Sequence, residues 1–190
     1  MSAHKPLEGV KVVELASFVA APTAGRMMAE MGADVIRVES TAGDPWRFYG
    51  VNCGLPVADE ENPLFDLYNL GKRDIQLDTK TPEGKEILLR LLGEADVFIT
   101  NNRLKSLVRA GLDYDSLKDR FPKLIYGLVT GYGQTGPDVD APGYDGVAFF
   151  SRSGMLADMA EPGGYPASAP GCVGDGATGA LCLAVSVLLF

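Results

Sequence analysis

Histidine is almost missing from this chain. His4 is the only one in 190 residues, and it lies in the N-terminal tail. Histidine-dependent triads and His-rich metal sites are thereby nearly excluded. Cysteine is sparse too. Cys53, Cys172 and Cys182 are odd in number, scattered, and form no CxxC pair. That argues against a disulfide framework and a structural zinc site, and for a reducing cytoplasm as the compartment. Positive charge is short: 17 Lys and Arg stand against 25 Asp and Glu, a net charge of −8. A field of that sign repels nucleic acid and anionic membrane, so neither is an expected partner. A phosphate-bearing ligand then has to be held by local cations and backbone N–H groups. Long hydrophobic runs are also lacking. The opening MSAHKPLEGVKVVEL has no apolar stretch of signal-peptide length. The closing ATGALCLAVSVLLF, from Ala177 to Phe190, is shorter than the roughly 20 residues that cross a bilayer. It has no polar face, no C-cap glycine and no closing basic residue, so it reads as a buried helix cut in its middle. From this we expect the N-terminal part of a longer protein.

What remains is globular: 46% hydrophobic and 22% charged residues. A chain of this length buries roughly 70% of its unfolded surface. Val10–Leu15 (VKVVEL) predicts a buried strand, Thr23–Met31 a helix with Pro22 in its first turn, and Asp34–Glu39 (DVIRVE) a second strand. That βαβ unit implies parallel pairing. Ser40–Asn62 is a long polar excursion, a type that is usually functional or mobile. Further strands are expected at Ile75–Asp78, Asp96–Thr100 and Leu124–Thr130. Helices are expected at Pro82–Ala95, capped by Thr81 or Asp78, at Leu104–Ala110 and at Tyr114–Arg120. In the first of these, Ile87, Leu88, Leu91 and Leu92 form the apolar face. The alternation predicts an α/β fold: a Rossmann-like open, mostly parallel sheet with helices on both faces. No internal repeat or low-complexity segment interrupts it.

Several segments carry chemistry beside a plainer reading. The first βα turn, SFVAAP, lacks the glycines that let a backbone approach a pyrophosphate, which disfavours NAD. Glu39 stands at the distance of a ribose-binding acid, or is a solvated strand end. Asn69-Leu-Gly-Lys-Arg73 offers Lys72 and Arg73 to a phosphate or ribose, or is a surface turn. Thr100-Asn-Asn-Arg103 follows the carboxyl end of a strand, where open α/β sheets bind ligands. With Lys105 and Arg109 it makes a positive patch or a solvated helix face. GYGQTGP (131–137) either brings backbone close to a ligand or makes an ordinary turn. Gly174-Asp-Gly176 precedes the terminal apolar run. Asp175 is an N-cap, or a functional carboxylate held ionised by the helix dipole, with flanking glycines leaving room for a thioester.

Taken in order, PLEGVKVVEL, AAP, MGADVIRVE, GKRDIQLDTKTPEGKE, EADVFITN, GYGQTGP, PGYD and GDGATG resemble the family III CoA-transferases, the CaiB/BaiF or formyl-CoA-transferase-like family. The resemblance runs from about Pro6 to Phe190. YNLGKRDIQLD and FITNNRLKSLVRAGLDYDSL look most like the branch acting on 2-hydroxyacyl and aryl-lactyl substrates.

The resemblance implies that residues 1–190 are the N-terminal part of the large Rossmann-like domain. A small domain and a returning C-terminal segment would follow, with the complete protein an interlocked homodimer. It implies Asp175 as the nucleophile, forming an acyl anhydride and then an aspartyl-CoA thioester. The substrates would be an acyl-CoA and a carboxylic acid, with no metal and no cofactor beyond CoA. It places Ser17, Phe18, Val19 and Ala20 on CoA in the first turn, Tyr68, Asn69, Lys72 and Arg73 in a second segment, and Asn101, Asn102 and Arg109 in a third. Departures weaken the phosphate contacts: Ser17 and Val19 replace a His and a Gln, Ser40 replaces a cation, and Thr130 a Lys. Two rival readings are an α-methylacyl-CoA racemase and a truncated, non-catalytic CoA-binding fragment. Such racemases use a His where Tyr144 stands, and a phenol with its ordinary pKa near 10 is a poor proton carrier at neutral pH.

Overall fold

The computed structural model describes residues 4–166 and 172–189; Phe190, the last residue of the apolar terminal run, lies outside them. Five parallel strands form one sheet: β1 (Lys11–Leu15), β2 (Asp34–Glu39), β3 (Arg73–Gln76), β4 (Val97–Thr100) and β5 (Ile125–Leu128). Their order is β3-β2-β1-β4-β5. β1 pairs β2 through Val12↔Val35 and β4 through Val12↔Val97, so the chain leaves β1 in opposite directions on the two sides. A crevice opens at the carboxyl ends of strands where the order reverses in this way.

The alternation along each strand feeds two cores. Val12, Val35, Val97 and Ile99 face one side, against α1 (Ala20–Glu30) and the terminal α8 (Ala180–Leu188). Val13, Leu15, Val38 and Phe98 face the other, against α4 (Pro82–Glu94), α5 (Leu104–Ala110) and α6 (Tyr114–Leu117). This is the expected sheet with helices on both faces.

Local signals and tertiary packing agree at most element ends. Thr81 Oγ1 accepts the Gly84 N–H at 3.1 Å and caps α4, while Asp78 turns back to the Lys80 N–H. The α4 face differs from the expected one: Leu88, Leu89 and Leu92 are buried, and Ile87 is exposed. The first helix starts three residues before Thr23, and β3 two residues before Ile75. The expected polar excursion holds α2 (Trp46–Tyr49) and a 3₁₀ turn (Gly50–Cys53). A helix not anticipated from sequence follows, α3 (Pro63–Asn69). Its start was legible as Asn62-Pro63: Asn62 Oδ1 accepts the Phe65 N–H at 3.3 Å, with Pro in the first turn. Past β5 come a π-helical turn (Gly146–Ser151), α7 (Met155–Asp158) and a second π-helical turn (Gly174–Gly179) that runs into α8. No helix among the described residues is long and apolar enough to cross a membrane.

Candidate active site

The turns after β1 and β4 meet at the reversal point. The Ser17 N–H donates to Asn101 Oδ1 at 3.0 Å, and Asn101 Nδ2 donates to Ser17 O at 2.7 Å. Thr100 Oγ1 donates to Leu15 O at 2.7 Å and accepts the Asn102 N–H at 3.1 Å. Beside these bonds lies a cleft of about 360 Å³, lined in part by Ser17, Glu39, Ser40, Asp44, Thr79 and Asn102. Phe18 adopts a left-handed backbone, φ 62°, and Ala20 begins α1. Arg103, Lys105 and Arg109 are exposed on and before α5 and form no ion pair among the described residues.

The second candidate segment divides. Tyr68 is partly buried and joins the site. Asn69 is buried: its Oδ1 accepts from Arg37 and Lys72, and its Nδ2 donates to Phe65 O. Lys72 Nζ sits 2.8 Å from Glu14 Oε2 and 2.7 Å from Pro22 O. Burial pulls the Lys72 ammonium down to about 8, opposed by the attraction of Glu14. Arg73 opens β3 at the amino edge of the sheet, away from the cleft, and pairs with Asp34 at 2.6 Å. Glu39 is no solvated strand end. It is 3% exposed and bonded to Arg37 and Arg47, which outweigh its burial and hold it down to about 2.

Asp175 stands in the second π-helical turn, and among the described residues its side chain forms no cap. Its own N–H donates to Asp145 Oδ1 at 2.7 Å. Asp145, just before the other π-helical turn, is buried, and its Oδ2 has no hydrogen-bond partner among the described residues. Burial, then the Asp145 charge, push the Asp175 carboxyl up to about 6. The expectation that the helix dipole holds it in the ordinary acidic range is therefore corrected. Gly174 also serves differently from the sequence reading: a Cβ there would overlap the Phe149 ring and Asp145 Oδ1, so the glycine allows close packing rather than room for substrate. Gly176 is less tightly packed: a Cβ there would make ordinary contacts, 3.7 Å from Val19 and 3.9 Å from Tyr68.

Tyr68, near Gly176, belongs to a chain of packed aromatic rings. Phe18 meets Trp46 edge-on at 6.4 Å and Tyr144 at 6.1 Å, and Trp46 meets Tyr68 at 5.8 Å. Burial and then the nearby acids raise the Cys172 thiol to about 11, and burial raises the Tyr68 phenol, so both stay protonated at neutral pH. Asp175 and Asp145 bring two carboxylates together here. Asp44 and Arg37 escaped sequence reasoning. The signal for Arg37 was a charge inside a β-branched strand, in register with another such charge, Glu14 in β1.

Known proteins resemble this chain over most of its length. The model of "CoA-transferase family III" matches residues 7–189. Cinnamoyl-CoA:phenyllactate CoA-transferase of Clostridium sporogenes is 49% identical over 88% of this chain, and (R)-2-hydroxy-4-methylpentanoate CoA-transferase of Clostridioides difficile is 45% identical over 89%. The chain spans 40% and 42% of the length of these two curated relatives. The crystal structure of a CAIB/BAIF family protein from Brucella suis superposes with a TM-score of 0.88 at 39% identity, covering 98% of this chain and 49% of that one.

Proposed function

This chain belongs to CoA-transferase family III, and from that premise we propose that the complete protein moves CoA from an acyl-CoA to a carboxylic acid, with a 2-hydroxy acid as acceptor, through Asp175. The observation that carries the reading is the seat of Asp175: half-buried, its backbone N–H held by Asp145, and next to Val19 and Tyr68 across Gly176. An Asp175 oxygen attacks the thioester carbon. The C–S bond breaks, and CoA thiolate leaves behind a mixed anhydride. The thiolate returns to the aspartyl carbonyl and expels the donor acid, giving an aspartyl-CoA thioester. The acceptor carboxylate and then the thiolate repeat these steps in reverse, freeing Asp175. Every step is an acyl substitution with no net redox change, so the reading needs no cofactor beyond CoA itself.

In this reading the Ser17–Ala20 turn, Tyr68, Asn101 and Asn102 hold CoA, with Arg109 on its phosphates. Asn69 and Lys72 hold the fold instead, since their side-chain polar atoms are occupied by the contacts above, and Arg73 lies at the amino edge of the sheet, paired with Asp34. The acceptor class is supported by the two hydroxy-acid relatives, and the complete protein is read as a homodimer and residues 1–190 as the first part of its large domain. The test is to mix the complete protein with acyl-CoA and add hydroxylamine or borohydride. Inactivation should follow, with the label on the peptide holding Gly174-Asp-Gly176. Asp175→Asn should bind CoA but lose turnover by about three powers of ten or more. A label on another acid, or more than a tenth of the activity retained, would overturn the assignment. Rapid α-deuterium exchange into a 2-methylacyl-CoA without CoA transfer would show a racemase.

A further inference from the structure

We propose that Asp44 is a positioning residue for the acyl-CoA site, a role that rests on the function proposed above. Phe18 is the only non-glycine residue with a positive φ among the described residues. An aromatic residue keeps a left-handed backbone only where its surroundings over-determine it. Asp44 does this. Its two oxygens accept the Phe18 N–H at 3.2 and 3.1 Å, and Oδ1 also accepts the Trp46 N–H at 2.8 Å.

Behind Asp44 lies a charged cluster within the core. Arg37, fully buried, donates through Nη2 to Asp44, through Nε to Glu39 at 3.0 Å and through Nη1 to Glu14 at 2.7 Å. Glu39 Oε2 accepts the Asp44 N–H at 3.1 Å, so the backbone of Asp44 is fixed as well as its carboxylate. Buried ion pairs add little net stability over an apolar core of equal volume. Their specific gain is geometry, and here the geometry is delivered to one turn. The residue after Phe18, Val19, faces Gly176 beside Asp175, and the Phe18 ring joins Trp46 to Tyr144. Asp44 thus sets the turn that brings Val19 against Gly176, through the backbone of Phe18.

The test uses Asp44→Asn in the complete protein. The variant keeps the side chain's size and one acceptor but loses the two-oxygen grip. The Phe18 amide should exchange its hydrogen at least ~10-fold faster, while the β1 amides are unchanged. KM for acyl-CoA should rise ~10-fold with kcat changed by less than ~3-fold. Glycine takes a positive φ freely, so in a Phe18→Gly background the same Asp44→Asn substitution should change KM by less than ~3-fold. Unchanged Phe18 exchange, a lowered Tm with unchanged KM, or an equal effect in the glycine background would each overturn the proposal. Should Asp44→Asn not fold, Phe18→Val strains the same clamp from the other side, and unaltered amide exchange and KM there would overturn it too. If the complete wild-type protein transfers no CoA, the proposed function fails. The clamp is then judged by Phe18 exchange and by calorimetric CoA affinity, which Asp44→Asn should weaken ~10-fold, and an unchanged affinity overturns it.

Discussion

At Asp175, burial and then a neighbouring carboxylate, Asp145, raise the carboxyl pKa. With its pKa near 6, the group is about ten to one ionised at pH 7, against roughly a thousand to one for an ordinary aspartate. Turnover of the complete protein should therefore fall as pH drops through about 6, where the nucleophile takes up its proton. Asp145→Asn removes the second cause and keeps an acceptor for the Asp175 N–H. The acid limb should move to lower pH but stop short of the ordinary range, because burial remains. A pH–rate profile checks this, and an unmoved limb would show that Asp145 contributes nothing. Stability follows the opposite sign to activity. A raised carboxyl pKa means that the folded state holds the proton more tightly, so folding loses stability as pH rises from the ordinary value of 3.8 through 6. Asp175→Asn should then melt higher than wild type at pH 8, by on the order of 2 kcal/mol, and about equally at pH 4. Melting curves at the two pH values decide it.

Among the elements, α1 packs on β1 through a contact that only glycine permits. A Cβ at Gly25 would overlap Glu14 Oε2 and lie 3.3 Å from Ile99 Cδ1. Glu14 is held by Arg37 and Lys72 and has nowhere to turn. Gly25→Ala, ordinarily favourable in a helix interior, should here cost about 2–4 kcal/mol in denaturant unfolding. Edge strand β3 carries a titrating counterpart. Arg47 Nη2 lies 2.9 Å from both Glu39 and Asp74. Burial and a hydrogen bond to Glu39 push Asp74 up to about 7. Between about 4 and 7 the unfolded chain has released a proton that the folded one keeps, so this group's contribution declines as pH rises through that window. Asp74→Asn imitates the protonated form and should flatten the fall in Tm between pH 5 and pH 8. An identical pH dependence in both proteins would refute that account.

The described residues form three layers, with β5 at one edge of the sheet. A cleft of about 540 Å³ runs between β5 and α8, and Leu181, Val185, Leu188 and Leu189 on α8 and just beyond it are exposed. Apolar surface of this kind drives association. A polypeptide of residues 1–190 alone should therefore self-associate and transfer no CoA. Light scattering and a transfer assay check this, and an active monomer would contradict it.

The order of strands and helices was legible in the sequence because each buried run announces its own period: β-branched pairs in VVEL and DVIRVE, leucines three and four apart in PEGKEILLRLL. The family, and with it the weight on GDGATG, came from the ordered set of segments. Three-dimensional contacts decided the rest. Local reading left Glu39 as a ribose-binding acid or a solvated end and Lys72 as a ligand's cation or part of a surface turn, because a sequence shows charge but not what lies across the sheet. Glu14, Arg37 and Asp44 are 23 and 7 residues apart along the chain, and only parallel pairing of β1 with β2 and the fold of the loop after β2 bring them together. The same holds for Asp145 and Asp175, 30 residues apart. Local propensity acts over a few residues and is written in order along the chain. The Asp175 pKa and the left-handed turn at Phe18 depend on desolvation and on through-space partners, which exist only once the layers have closed.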